Sequence, residues 1–265
     1  MKKKANKTKV RNKSRIGALK VKRPKKVYFN EEDKMNFQLE RKHLGKWLMA
    51  TGIIFSSLIV LWLILMFNSL VSGSIEEQII KISKQSVGYQ CTFFINSLYS
   101  ILLVAIMIIL GLFVDTKKPK GIIDIWGIVL LAPYTLLVSI AYTSQYTIFP
   151  RLLADISDNK FEIIKFMYFG NPNSLAYFLD YLGYTFFALS ALAIGFKFLY
   201  EKGIKRIIGL TLWLSGISCI IGFWGFSARI PFLEVFTVIG GVFILPFGIL
   251  VSIYGAKLLS YKLEK

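Results

Sequence analysis

The sequence predicts an all-α, polytopic membrane protein with six transmembrane helices and both termini in the cytoplasm. Three observations carry that reading. Of the residues, 55% are hydrophobic, and they fall in long uncharged blocks rather than in the short periodic patterns of a globular core. Alternating ten-residue segments are absent, which excludes a β-barrel and leaves helices. Finally, lysine and arginine are divided unevenly between the two sets of loops, which sets a direction across the bilayer.

Residues 1–30 are rich in Lys, Arg and Asn with no sustained apolar period. Such a segment cannot bury enough surface to fold alone and reads as a disordered basic cytoplasmic tail against anionic lipid headgroups. Residues 31–46 read as a cytoplasmic juxtamembrane segment, 47–258 as the transmembrane domain, and 259–265 as a cytoplasmic C-terminal tail. Within the domain the apolar blocks run 47–75, 85–114, 125–150, 166–196 (broken only by Asp180), 207–228 and 235–256. Each holds the roughly 20 residues that cross a hydrocarbon core about 30 Å thick. The first block follows too long a charged region for a secretory leader and reads as an uncleaved signal anchor.

With the first loop outside, 27 of the 33 Lys and Arg lie inside and 6 outside, while the acids other than Asp124 and Asp180 divide 7 to 6. The bias is therefore in the cations, as the positive-inside rule requires. A multi-pass protein of the plasma membrane is expected, with the bilayer as its first partner. The net charge of +18 raises nucleic acid as a partner, but the tail has no interleaved aromatic platform, only Tyr28 and Phe29 at its end, and the distribution argues against it.

Between the blocks, Ser74-Ile75-Glu76-Glu77 makes a capping-box pattern, and Ile75, Ile79 and Ile82 share one helical face. A short amphipathic helix on the outer membrane surface is expected. The second outer loop, 151–170, repeats the idea with Leu152, Leu153, Ile156, Phe161 and Ile164. Residues 115–120 and 197–206 are tight inner turns. Trp47 and Trp126 mark the inner boundary and Trp224 the outer one. Small residues line up in helix five (Thr211, Ser215, Ser218, Gly222, Gly225) and in helix six (Thr237, Gly241, Gly248, Ser252, Gly255), as close-packed helices in lipid require. The stretch Pro133–Ile140 matches Pro246–Ile253 at Pro, Leu, Val, Ser and Ile, which raises an inverted repeat of helices three and six.

Polar residues inside the spans define the candidate site. Helix three carries Thr135, Ser139, Tyr142, Thr143, Tyr146 and Thr147 on one face, with Gln145 nearby. Helix four carries Tyr177, Asp180 and Tyr184 at i, i+3 and i+7, and Asp180 is its one ionisable residue between Lys165 and Lys197. An isolated carboxylate in a span marks function by default. Eight residues past Pro172, it also suits a helix N-terminus entered from outside, and both readings stand. Asp180 is expected to accept hydrogen bonds from the tyrosine hydroxyls of Tyr177, Tyr184, Tyr142 or Tyr146, with Ser139, Thr143 and Gln145 completing the polar set. Asp124, close after Lys120, reads as an interfacial helix-start residue.

Enzymatic chemistry finds little support. His43 is the sole histidine and lies in a basic flank, so neither histidine-rich metal sites nor Ser-His or Cys-His pairs arise within the bilayer. Cys91, in the first outer loop, and Cys219, in helix five, share no metal-like spacing. A phosphate-binding Gly-rich loop and the paired aspartates of an intramembrane protease are missing. No catalytic residue, metal or cofactor is expected. The leading expectation is a non-enzymatic accessory subunit or scaffold with a membrane-protein partner; a small-solute or ion transporter comes second, and a lipid-modifying enzyme third.

Gln145-Tyr-Thr-Ile-Phe-Pro150, Asn171-Pro-Asn-Ser-Leu175 and Leu179-Asp-Tyr-Leu-Gly-Tyr184 together resemble a family of prokaryotic six-helix membrane proteins without an assigned activity. The resemblance covers helices three to five, leaves out the basic tail, and implies the same fold.

Overall fold

The computed structural model describes residues 31–69 and 71–260; the basic tail at 1–30 and most of the C-terminal tail lie outside them. Among the described residues the elements are α1 (Glu31–Ser69), α2 (Ile75–Lys84), α3 (Ser86–Leu112), α4 (Ile122–Val129), α5 (Leu131–Leu153), α6 (Asp158–Met167), α7 (Leu175–Phe198), α8 (Ile204–Ala228) and α9 (Pro231–Leu259). Six stretches are long and apolar enough to span a membrane: α1 from Gln38, α3, α4 with α5, α7, α8 and α9. The chain is a multi-pass membrane protein. Residues 31–46 are helical and run into the first span without a break, as one helix of 39 residues.

Local capping corrects two of the predicted spans. The first block stops at Ser69, and Ser74 opens α2: its hydroxyl accepts from Glu77 N at 3.2 Å while Glu77 Oε2 accepts from Ser74 N at 3.0 Å. This reciprocal pair satisfies two donors that a helix start leaves open. The apolar face of α2 turns into the bundle rather than onto lipid, with Ile79 and Ile82 buried. Tyr168 Oη donates to Gln78 Oε1 at 2.8 Å, and Lys165 Nζ pairs with Glu76 Oε1 at 2.8 Å. These contacts tie α2 to α6, which takes the start of the fourth block. The fourth span itself begins only at Leu175, where Ser174 Oγ accepts from Tyr177 N at 3.1 Å.

The third span is two helices, α4 and α5, with the break at Leu130. Pro133 offers no N–H to the Val129 carbonyl and crowds it, which is the ordinary cause of such a break. Pro246 lies inside an unbroken α9, so the two similar proline stretches are both helical and differ in what precedes them.

The six spans close into a ring in chain order, α1 against α3, then α5, α7, α8, α9 and back to α1, with α3 also reaching α7 across the centre. The start of α1 and the end of α9 meet at one end, called basal here; α2 and α6 cover the other, capped end. Small residues make the α7–α8–α9–α1 side tight. All five members of the α8 stripe are buried. A Cβ at Gly222 would overlap Thr237, and Ser215 Oγ donates to Gly240 O at 2.9 Å. The α9 line splits between two partners. Thr237 meets α8, whereas Gly248, Ser252 and Gly255 meet α1, where a Cβ at Gly255 would lie 2.7 Å from Gly45 O. Gly241 faces open space, and Gly240 takes its place against Cys219.

Two side chains lie elsewhere than their sequence context implies. Cys91 falls in α3, not in a loop, on the exposed stripe of Val87, Phe94 and Ile101. Lys197 belongs to α7 and is buried: its ammonium donates to Gly111 O at 2.7 Å and lies 3.2 Å from Asp124 Oδ1. It thereby meets a free carbonyl at the end of α3, where a cation is favoured. Asp124 stands at the start of α4, as expected; its other oxygen accepts from Gly121 N at 2.9 Å, and the residue is buried as well.

Candidate functional site

On α5 the buried stripe is Leu131, Tyr134, Val138, Ala141, Tyr142, Gln145 and Phe149, the period that turns one face to the ring centre. Of the predicted polar residues only Tyr142 and Gln145 lie on it. Ser139, Thr143 and Tyr146 flank it, half-buried. Tyr146 Oη reaches Thr143 Oγ1 at 3.4 Å and its ring packs edge-on against Phe94. Thr135 and Thr147 donate to carbonyls of their own helix, the usual way a hydroxyl is satisfied in a span.

Gln145 is fully buried and fully used. Its Oε1 accepts from Tyr89 Oη at 2.6 Å and from Phe169 N at 3.1 Å, and its Nε2 donates to Met167 O at 2.9 Å and Ser144 Oγ at 3.0 Å. The residue joins α3, α5 and the chain between α6 and α7. Nothing is left over for a ligand.

Asp180 differs. It is the sixth residue of α7, about 8 Å along the helix, and it is buried. The Tyr142 hydroxyl of α5 lies beside its carboxyl. Its Oδ1, however, has no hydrogen-bond partner. Tyr184, one turn deeper, meets Tyr142 Oη and Tyr99 Oη, each at 3.4 Å. Both contacts are long against the roughly 2.7–2.8 Å of a good O–H···O bond. The hydroxyls are gathered rather than tightly paired. Tyr177 leaves the group: it stacks on Tyr181 at 4.7 Å, shares a 3.0 Å hydroxyl contact with it, and packs against Phe226 of α8.

Three members of this centre are absent from the sequence reading. Tyr99 lies at the midpoint of α3, its ring held edge-on by Phe55 and Trp62 of α1 at 6.2 and 5.8 Å. Tyr134 packs on Tyr184 at 5.8 Å, with its hydroxyl unpartnered. Asn96, one turn before Tyr99, has an unpartnered Oδ1. Asn96 and Tyr99 show no pattern against their apolar neighbours, and only the polarity of Asn96 inside a span could have drawn notice. Asp180 Oδ1, Asn96 Oδ1 and Tyr134 Oη thus bring buried, unsatisfied oxygens from α7, α3 and α5, where each lost partner costs several kcal/mol in an apolar medium.

At the basal end the ring opens into a cavity of about 640 Å³ between α1, α3, α8 and α9, lined by both charged and apolar side chains. Among the described residues no group of three or more His, Cys, Asp or Glu is placed to hold a metal ion. Comparison of the chain with protein-family models, curated proteins and solved structures finds no match.

Proposed function

We propose that this chain is a plasma-membrane transport protein of a prokaryotic cell. It carries a proton or a small monovalent cation through the ring, and Asp180 takes the charge. The carrying observation is the unpartnered carboxyl oxygen of Asp180 inside the ring. An accessory subunit gains nothing from bare oxygens in its centre, whereas a carrier needs groups whose partners arrive with the cargo. Asn96 Oδ1 and Tyr134 Oη are further unpartnered oxygens inside the ring, of the kind hard cations prefer, and a single carboxylate matches a single charge. The hydroxyls of Tyr142, Tyr184 and Tyr99 form a loose chain from Asp180 toward the middle of the span, where carrier sites lie. Both termini and the basal cavity face the cytoplasm in this reading, on the strength of the cation bias.

The test is flux into proteoliposomes under an imposed potential, followed with a pH dye and with sodium- and potassium-sensitive dyes. Native protein is expected to pass one of these cations, and Asp180→Asn to lower the flux at least about tenfold with thermal stability retained. No flux in native protein, or equal flux in the variant, removes the reading.

A further inference from the structure

The structure assigns a second site, independent of Asp180: we infer that the basal cavity binds a phospholipid whose headgroup carries both a phosphate and a primary ammonium. Its volume, about 640 Å³, falls in the roughly 300–1,000 Å³ range of ligand sites. It lies at the ends of the spans, at headgroup depth, and its walls include Leu44, Ile109 and Leu258. Trp47 and Phe113 also line it, yet remain 65% and 61% exposed. Apolar walls that stay open to the surroundings at the end of the spans suit the first carbons of an acyl chain.

Charge selects the headgroup. Arg41 and Lys205 face the cavity together with Glu40 and Asp115. Two fixed cations thus stand against two carboxylates in the lining. A purely anionic headgroup would meet two carboxylates as well as two cations. A zwitterionic one offers its phosphate to Arg41 and Lys205 and its ammonium to Glu40 and Asp115. Lys205 donates to the Asp115 carbonyl at 2.5 Å, which leaves two of its three donors for phosphate oxygens. A primary ammonium can donate to the carboxylates, and a trimethylated one cannot.

Native mass spectrometry of the full chain in a neutral maltoside detergent tests this, titrating phosphatidylethanolamine, phosphatidylglycerol and phosphatidylcholine. Phosphatidylethanolamine is expected to bind at least about tenfold more tightly than either of the others. Glu40→Gln with Asp115→Asn should erase that preference while leaving phosphatidylglycerol bound. Leu44→Trp keeps every charge but fills the cavity, and should exclude all three lipids without lowering the melting temperature. Lys42→Gln with Lys257→Gln, exposed cations outside the cavity, should change nothing. Phosphatidylglycerol binding as tightly as phosphatidylethanolamine, or equal losses in the Lys42 and Lys257 control, would overturn the assignment. So would displacement of the lipid by equimolar O-phosphoethanolamine, which would make the ligand a soluble zwitterion.

Discussion

Gln145 and Asp180 are both buried polar side chains on facing helices, and they have opposite hydrogen-bond balances. Gln145 meets four partners, so Gln145→Leu would orphan the Tyr89 hydroxyl, the Phe169 N–H and the Met167 carbonyl at once. At about 1–3 kcal/mol for each buried orphan, the variant should lose at least about 3 kcal/mol, read as a lower denaturation midpoint in detergent. Asp180 has an oxygen with no partner, and replacing such a group by an apolar one of similar size is often neutral or stabilising. Asp180→Leu should therefore melt at or above the native temperature while losing transport. A clear loss of stability would mean that Asp180 is a structural anchor and not a site. Sequence reasoning found both residues but could not separate them, because the difference lies in partners supplied by distant helices. Tyr177 shows the same limit: the i, i+3, i+7 spacing groups it with Asp180, yet its ring turns toward Tyr181 and Phe226.

At the scale of elements, the small-residue stripe of α8 was legible because it is buried throughout, with Ser215, Gly222 and Gly225 all meeting α9. That of α9 was only half legible, since the helix serves two. Gly222 and Gly241 make the contrast testable. A leucine at Gly222 must push into Thr237, whereas Gly241 has open space around it. Gly222→Leu is expected to cost at least about 2 kcal/mol through overpacking, and Gly241→Leu almost nothing. Equal melting of the two variants would show that α8 and α9 are not in close contact. The α2 cap offers a pH test, since its pairing with α6 lies outside the spans. Lys165 beside Glu76 holds that carboxyl below its usual range, and Glu76 in turn raises Lys165. A lowered carboxyl value means that the contact helps above the ordinary carboxylate pKa and is lost as pH falls through the lowered one. Protection of α2 amides should thus exceed that of Glu76→Gln at neutral pH, and the two should converge in acid. Equal protection of the two at neutral pH would mean that the capping box and the Tyr168–Gln78 bond hold the helix without the ion pair.

For the whole molecule, span number and class were legible because a bilayer imposes length and apolarity on every crossing. The ring was not, since hydropathy says that a helix lies in lipid and not which helix stands beside it. Orientation depends on the cations alone, and the fold now shows where to test it. Cys91 is a poor probe, being on the lipid-facing stripe of α3. Ser72, between α1 and α2 at the capped end, and Lys202, between α7 and α8 at the basal end, are both exposed. They lie on opposite sides whichever way the protein inserts. In a chain with Cys91→Ser and Cys219→Ala, an impermeant maleimide should label Ser72→Cys in intact cells and Lys202→Cys only after permeabilisation. The basal end carries the Lys and Arg of the α3–α4 and α7–α8 turns as well as the basic flank of α1, so inversion would send nearly all of that charge across the membrane, against the bias that governs insertion. The reverse labelling pattern would therefore do more than flip a diagram. It would put the proposed lipid cavity in the opposite leaflet and reverse the side from which the proposed cargo reaches Asp180.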